Sequence, residues 1–334
     1  MAIIPIFIPH AGCPHQCVFC NQKTISGQKS AAVVEARRQI ERWLQWTRPS
    51  LDNEAAFYGG SFTGLELSLQ EQLLALTDEL LAQEIIGSVR LSTRPDYINP
   101  TVLRLLKEHG VRLVELGVQS LDDRVLQAAE RGHTAAQVPQ AVALLREAGF
   151  QVGIQLMVGL PRQTRTSMAA TVEQVCRLQP DIARIYPLLV IKDTPLERSY
   201  RAGEFTPLTV AEAVDQAAWM YARLTKAGIR VIRIGLQPDE ELCAEGNIVA
   251  GPFHPAMGEL VKSRVLREQL TPRLVQVAQG SAAKDAVEVL CPARLLSKIR
   301  GQKSCNVEYW EELLGRSVVV KQDDVDEVVV RIVG

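Results

Sequence analysis

Between residue 3 and about residue 190, short apolar runs rich in β-formers alternate with longer segments of helical period. That alternation narrows the fold more than any other feature, because it is the pattern of repeated βα units whose crossover helices cover a parallel sheet. Strands are predicted over 3–8, 55–58, 89–92, 113–118, 151–158 and 182–188, and helices over about 32–47, 68–84, 100–109, 135–148 and 165–178. Gly110 and Gly149 stand where a helix C-terminus needs a residue tolerant of left-handed backbone. Six such units predict an α/β fold, a partial (β/α)6 barrel. In parallel sheets of this kind, ligand chemistry gathers on the loops that leave the C-terminal ends of the strands.

Beyond residue 190 the pattern continues with a long helix over about 209–227 and a strand over 229–234, and from about 236 its character changes. Residues 1–235 are therefore expected to form the barrel, and 236–334 a smaller C-terminal α+β domain that caps it and selects substrate. Two β-rich runs near the end, 317–321 and 327–333, are separated by Gln322, Asp323, Asp324 and Val325 and read as a closing hairpin. A length of 334 residues suits one large barrel with a small appendage. The N-terminal run MAIIPIFIPH is apolar, but it is short, holds two prolines and lacks a basic start, so it predicts a buried strand of a cytoplasmic protein rather than a leader. No apolar stretch reaches the roughly 20 residues a membrane-spanning helix needs. A formal net charge of −1 argues against broad, non-specific binding of nucleic acid, while leaving room for a local basic patch.

Seven cysteines are present, with three of them inside eight residues directly after the first predicted strand: Cys13-Pro-His-Gln-Cys17-Val-Phe-Cys20. The other four, Cys176, Cys243, Cys291 and Cys305, are scattered, which is no disulfide framework and points to reduced thiols with a metal site. Thiolates at this spacing fit a loop wrapped around a compact inorganic core. Iron–sulfur clusters select such soft ligands, and a cluster with three protein ligands keeps one iron open to another molecule. A structural zinc site completed by His10 or His15 is the competing reading, since zinc takes four ligands and mixes thiolate with imidazole. Phe19, beside the last cysteine, favours the cluster, because an aromatic ring there shields it and packs on a nucleoside.

This loop resembles the C-x-x-x-C-x-x-C motif of the radical S-adenosylmethionine (SAM) superfamily. Further segments follow in order: Phe57-Tyr58-Gly59-Gly60-Ser61-Phe62-Thr63-Gly64, Ser92-Thr93-Arg94-Pro95-Asp96, Glu115-Leu-Gly117-Val-Gln119-Ser120, Arg131-Gly132-His133-Thr134 and Met157-Val-Gly159-Leu160-Pro161. Over about residues 5–190 they resemble the radical SAM core of the Elongator catalytic subunit, and less closely that of oxygen-independent coproporphyrinogen oxidase. The resemblance implies a partial barrel of radical SAM type and two cofactors, a [4Fe-4S] cluster on Cys13, Cys17 and Cys20, and SAM on its open iron. It further implies that Gly59, Gly60, Ser61 and Thr63 hold the methionine end, that Arg94 and Gln119 serve the carboxylate and ribose, and that Gly159 and Leu160 flank the adenine. Glu115 and Gln119 have a plainer reading as groups that satisfy polar atoms at strand ends. His133, after Arg-Gly at a turn, reads equally as a local hydrogen-bonding residue.

The glycine- and proline-rich stretch 245–259 reads either as a long loop across the barrel mouth or as a rigid turn before a helix. On the first reading His254 and Glu259 are candidate catalytic or substrate contacts, together with Tyr186 at the end of the sixth strand. Cys243, Cys291 and Cys305 are too dispersed to predict a second cluster. Residues 295–321 run helix, basic glycine turn (Gly301-Gln-Lys-Ser304), helix, strand, and distantly resemble a KH RNA-binding module, in which a G-x-x-G turn clamps backbone phosphates. Ser304 takes the place of the second glycine, and an ordinary helical hairpin with solvated lysines and arginines is the alternative.

The core resemblance implies reductive cleavage of SAM to a 5′-deoxyadenosyl radical, a one-electron donor such as flavodoxin or ferredoxin, and an RNA substrate, a transfer RNA nucleoside first. The same chemistry on a small metabolite or tetrapyrrole-like molecule is one alternative, and a non-catalytic cluster- or zinc-bearing RNA-binding adapter is another. Elongator's acetyltransferase domain has no counterpart in these 334 residues, so acetyl transfer is not expected.

Overall fold

The computed structural model describes residues 2–8, 13, 16–21, 29–236, 242, 244–280 and 285–333, and among them the chain forms three sheets. The elements β1 (Ile3–Phe7), α1 (Lys29–Leu44), β2 (Glu54–Tyr58), α2 (Leu67–Ala82), β3 (Ser88–Thr93), α3 (Pro100–Glu108), β4 (Val111–Gln119), α4 (Asp123–Ala128), α5 (Gln137–Glu147), β5 (Gln151–Val158), α6 (Arg165–Leu178) and β6 (Ile182–Pro187) follow one another. After β7 (Val190–Ile191) and α7 (Pro195–Arg201) come α8 (Val210–Lys226) and β8 (Arg230–Ile234). Seven strands pair in the order β1-β2-β3-β4-β5-β6-β8, all parallel, as a curled half-barrel. The six expected strands form within two residues of their expected ends, and β8 extends the same sheet.

Strand alternation sorts each strand into two faces. One face, with Ile4 and Ile6 of β1, Val89 and Leu91 of β3, Val114, Leu116 and Val118 of β4, and Ile154, Leu156 and Val158 of β5, packs against the helices as the main core. Pro5 is tolerated because β1 is an edge strand, where a missing N–H leaves no partner short. The opposite face is polar: Glu54 and Tyr58, Arg90 and Ser92, Glu115, Gln155, and Arg184 and Tyr186 alternate with the core residues along β2 to β6. Helix ends are fixed locally. Asn99 accepts from the Val102 N–H at the start of α3, and capping boxes open α6 (Thr164 with Ser167) and α8 (Thr209 with Glu212). Gly110 and Gly149 follow α3 and α5 with positive φ, as expected.

The C-terminal part comprises β9 (Ile248–Ala250), α9 (Met257–Gln279), β10 (Ala286–Cys291), α10 (Ala293–Arg300), α11 (Cys305–Leu314), β11 (Val318–Gln322) and β12 (Val329–Val333). Short β9 pairs antiparallel with β7. Helix α9 serves two cores, Met257, Val261 and Val265 joining the main one and Leu270, Leu274 and Ala278 a second. In that second core Trp310 is fully buried and its indole N–H donates to Thr271 Oγ1 at 2.9 Å. The expected closing hairpin does not form. β11 and β12 each pair with β10, parallel and antiparallel respectively, in the order β11-β10-β12. Strand β10 is buried at Val287, Glu288, Val289, Leu290 and Cys291, so it lies as the central strand with a neighbour on each edge, whereas its two neighbours leave alternate residues exposed. Among the described residues no helix is long and apolar enough to cross a membrane.

Candidate functional site

The cysteine loop leaves the C-terminal end of β1. Cys17 is buried, and Cys13 and Cys20 are half-buried. Burial raises the Cys20 thiol to about 12, with the charges of Cys17 and Cys13 adding to it, and raises Cys13 as well, although the Ser61 N–H opposes the shift there. Among the described residues no three His, Cys, Asp or Glu side chains form a ready metal-holding group. His10 and His15, the alternative zinc ligands, lie outside the described residues, as does Cys243. Hydrogen bonds tether the loop, among them Val18 N–H to Ala129 O at 3.2 Å, Leu196 N–H to Val18 O at 2.8 Å, and Asn21 Nδ2 to Lys192 O at 3.0 Å. Phe19 packs in a small apolar cluster that also holds Met157, Leu160, Leu188 and Tyr186.

The glycine loop follows β2. Gly59 has φ +99°, and a Cβ there would lie 2.5 Å from the Ile8 carbonyl oxygen, so only glycine fits between this loop and the end of β1. Gly60 and Ser61 line a narrow crevice with Ile8, Tyr58 and Ser92. Thr93, at the end of β3, ties the loop down. Its Oγ1 lies 3.0 Å from Ser61 Oγ and 2.5 Å from Thr63 Oγ1. Ser61 Oγ in turn accepts the Arg94 N–H. The Ser61 and Thr63 hydroxyls are thus committed to this buried network, and the loop is rigid before any ligand arrives.

At the ends of β3 and β4, several buried polar atoms lack a partner. Arg94 donates from Nε and Nη2 to both oxygens of Asp96, at 2.9 and 2.8 Å, while its buried Nη1 has no acceptor. Burial works to raise the Asp96 carboxyl, but the Arg94 bonds outweigh it and hold the group below its usual range. Gln119 sits at φ +64°, a conformation that non-glycine residues adopt at a cost, and its buried Oε1 is unpaired. His133 is buried with both ring nitrogens unpaired, and burial, then Arg131 and Arg94, push it down to about 3, so it is a neutral imidazole. Gly159 and Leu160, after β5, are fixed by Gln163, whose Oε1 accepts both of their N–H groups at 2.7 and 3.3 Å.

Below this rim the polar face of the sheet carries a charged network. Glu115 pairs with Arg184 through both oxygens, and Arg90 Nη2 reaches Glu54 at 3.1 Å. Arg184 Nη2 also donates to Tyr58 Oη at 3.3 Å, and Tyr186 stands beside it, burial raising its phenol. The half-buried Tyr186 therefore joins the apolar mouth cluster to the charged interior. Arg131, Thr93 and Arg184 were not singled out from the sequence. Arg131 and Thr93 stood inside recognised motifs, but nothing local marks a buried arginine or hydroxyl as a hub.

His254 and Glu259 stand apart from this cluster. His254 Nδ1 accepts the Ala256 N–H at 3.1 Å and its Nε2 lies 3.3 Å from Gln302 Nε2, and Glu259 lies 4.0 Å from Lys298 Nζ. His254 sits where the loop before α9 meets the turn between α10 and α11, and Glu259, in the first turn of α9, faces α10. That turn has the expected order of helix, glycine turn, helix and strand, with Lys303 and Ser304 at positive φ. Of the scattered cysteines, Cys291 is buried in the second core, Cys176 is half-buried and Cys305 is exposed.

Two family models match the chain: the radical SAM superfamily over residues 7–175, and the radical SAM C-terminal domain over residues 180–267. The tRNA uridine(34) acetyltransferase of Methanocaldococcus infernus is 25% identical over 317 residues, which cover 83% of this chain and 58% of that protein. A solved structure of archaeal Methanocaldococcus infernus Elp3, with an N-terminal deletion, superposes with a TM-score of 0.64 at 25% identity, covering 80% of this chain and 63% of that one. Coproporphyrinogen III oxidase (HemN) of Escherichia coli shares the fold, with a TM-score of 0.51 at 22% identity, over 68% of this chain and 52% of its own. The chain thus spans less than two thirds of the length of each of these proteins.

Proposed function

The chain belongs to the radical SAM superfamily, and from that footing we propose that it is an enzyme that cleaves SAM reductively at a [4Fe-4S] cluster and abstracts hydrogen from an RNA nucleoside. The cluster, when bound, would supply one electron to the sulfonium of SAM, giving methionine and a 5′-deoxyadenosyl radical. Everything else falls to the chain's own residues.

Cys13, Cys17 and Cys20 supply three soft ligands, which leaves one iron for the methionine end of SAM. Ligation would draw the three sulfurs together and deprotonate them, reversing the upward shift that burial gives Cys20 and Cys13. Gly59, Gly60, Ser61 and Thr63 offer a rigid backbone cradle in which the position of Gly59 admits no side chain. Gln119 Oε1 and Arg94 Nη1 are buried, unpaired and suited to a ribose hydroxyl and a carboxylate. Gly159 and Leu160 would border the adenine, with Phe19 in the same apolar cluster as Leu160. The observation that carries the reading is this concentration of unpaired buried donors and acceptors beside three thiols. Burying such groups costs stability unless a ligand satisfies them.

For the substrate, similarity over 83% of the chain to a protein named tRNA uridine(34) acetyltransferase supports RNA over a small metabolite or tetrapyrrole. Residues 236–334 would cap the barrel and select that substrate, and His254, Glu259 and Tyr186 are the candidate contacts. A flavodoxin or ferredoxin would deliver the electron, and a cytoplasmic setting suits reduced thiols.

Anaerobic reconstitution followed by iron and sulfide analysis tests the cluster. Formation of 5′-deoxyadenosine under dithionite tests the cleavage, and its stimulation by bulk transfer RNA, set against a small-metabolite extract, tests the substrate. We expect equal iron and sulfide, cleavage, and stimulation by the RNA. A protein that stays free of iron or takes up zinc instead defeats the reading, as does a loaded protein that leaves SAM intact. Stimulation by the metabolite extract alone defeats the choice of RNA.

A further inference from the structure

Arg131 lies on the turn between α4 and α5, a segment shaped to turn it inward. Glu130 and Gly132, on either side, both have positive φ, +51° and +75°, and the Arg131 N–H closes the end of α4 on Leu126 O at 3.0 Å. The residue is 7% exposed. Nη1 donates to Cys17 Sγ at 3.1 Å, Nη2 to the Gly117 carbonyl at 2.5 Å, and the buried Nε has no acceptor. Among the described residues no carboxylate forms an ion pair with it. Gly117 gives the fork room, since a Cβ there would already stand 3.3 Å from Nη2. One residue pair away, the Val18 N–H donates to Ala129 O, so the cysteine loop is clamped to this turn at two adjacent points, once through backbone and once through the guanidinium.

A guanidinium held in the interior without a counter-charge is costly, because little of its lost hydration is replaced. It is stable where an anion meets it, and the atom it meets is the sulfur of a buried cysteine. We infer that Arg131 is a positioning residue for the cluster: it fixes Cys17 in its ligating orientation, and its charge and N–H···S bond at that sulfur raise the potential of the cluster's one-electron couple. This rests on the cluster reading given above. In that couple one electron enters from an external one-electron donor and no bond is made or broken. The reduced cluster carries one more negative charge than the oxidised one, so a fixed cation and an N–H donor at a ligand sulfur stabilise it more.

The test uses the full chain with Arg131→Gln and Arg131→Lys, each reconstituted anaerobically with iron and sulfide and titrated with dithionite. The midpoint is read from the electron paramagnetic resonance signal of the reduced cluster, the resistance of the iron to a chelator is measured in parallel, and circular dichroism reports folding. We expect R131Q to favour the oxidised cluster about tenfold more than the wild type does, a midpoint more negative by about 59 mV, and to hold iron ~10-fold or more less tightly. R131K restores most of the midpoint, because the charge returns, but not the chelator resistance, because a single ammonium cannot hold Cys17 and the Gly117 carbonyl as a fork does. A purely structural role would leave the midpoint of folded, loaded protein unmoved. Wild-type midpoint and chelator resistance in R131Q overturn the inference, and if R131Q does not fold, wild-type chelator resistance in R131K does so. A wild-type chain that takes up no cluster overturns both this inference and the proposed function, whereas a loaded wild type beside an indistinguishable R131Q overturns the role of Arg131 alone.

Discussion

Arg184 of β6 reaches across β5 on the polar face of the sheet to pair with Glu115 of β4, its Nη2 standing 3.0 Å from Oε1. The strand between them makes room at Gly153, which is in register with Glu115 and where a Cβ would lie 2.9 Å from Glu115 Cγ. Glu115 is 1% exposed and Arg184 11% at the side chain, so the pair is desolvated, and losing one partner strands the other's charge. Glu115→Ala is expected to destabilise the chain by about 3–5 kcal/mol. Glu115→Leu combined with Arg184→Met should cost less than the single change. Urea unfolding followed by circular dichroism checks both, and a single variant within about 0.5 kcal/mol of wild type would show the pair to be solvated.

Gly153→Ala is expected to cost about 1–3 kcal/mol, as overpacking of a well-filled interior does, because the side chain it meets is locked by Arg184 and cannot swing away. The same unfolding experiment reads it. Combining Gly153→Ala with the Leu/Met double variant should change the cost, since both act on one contact. Strict additivity would mean that the methyl group is accommodated elsewhere.

The helix-facing half of the sheet was legible in the sequence because alternation is local: Val114, Leu116 and Val118 announce a strand without knowledge of their neighbours. The six strands, the glycine loop and the cysteine loop followed from that period and from short motifs. The polar half was not legible. Glu115 and Arg184 are separated by 69 residues, and Arg131 and Cys17 by 114, so nothing in the sequence pairs either arginine with its partner. Strand β10 was missed because a short apolar run such as AVEVLC has no period that separates a central strand from buried helix, and without it the two runs that flank it in space read as a hairpin.

His133 supplies a pH prediction for the cofactor-free chain. Its folded-state value of about 3 lies below the ordinary histidine value of 6.5, so between those two pH values the unfolded chain binds a proton that the folded chain refuses. Stability therefore falls on acidification through that window, by roughly 1.4 kcal/mol per pH unit. His133→Gln should flatten the decline between pH 6.5 and pH 3 when urea midpoints are measured across it. An unchanged slope would mean that the imidazole is protonated in the fold.

Cys17→Ala removes the most buried of the three thiols and the one that Arg131 holds. It is expected to abolish cluster loading and, with it, any cleavage of SAM, and to lower the stability of the cofactor-free chain as well, because the buried Arg131 guanidinium loses the atom its Nη1 donates to. Iron analysis and 5′-deoxyadenosine formation are the measurements. Wild-type iron content in this variant would remove Cys17 from the ligand set.

Gly59→Ala asks whether the cradle is as tight as its backbone implies. The residue would have to adopt φ +99° with a Cβ 2.5 Å from the Ile8 carbonyl oxygen, and neither the end of β1 nor the glycine loop is free to retreat. The Thr93 hydroxyl holds Ser61 and Thr63 from one side, and the Ile8 N–H bond to Tyr58 O, at 2.8 Å, holds β1 from the other. Strain of this kind costs of order 1–3 kcal/mol, and relief by moving the loop would shift the Ser61 N–H that faces Cys13. The expected result is a chain that folds with a lowered unfolding midpoint and binds SAM at least tenfold more weakly once reconstituted, as read by equilibrium dialysis. If stability falls and SAM affinity does not, the loop is a structural turn and the methionine end is held elsewhere.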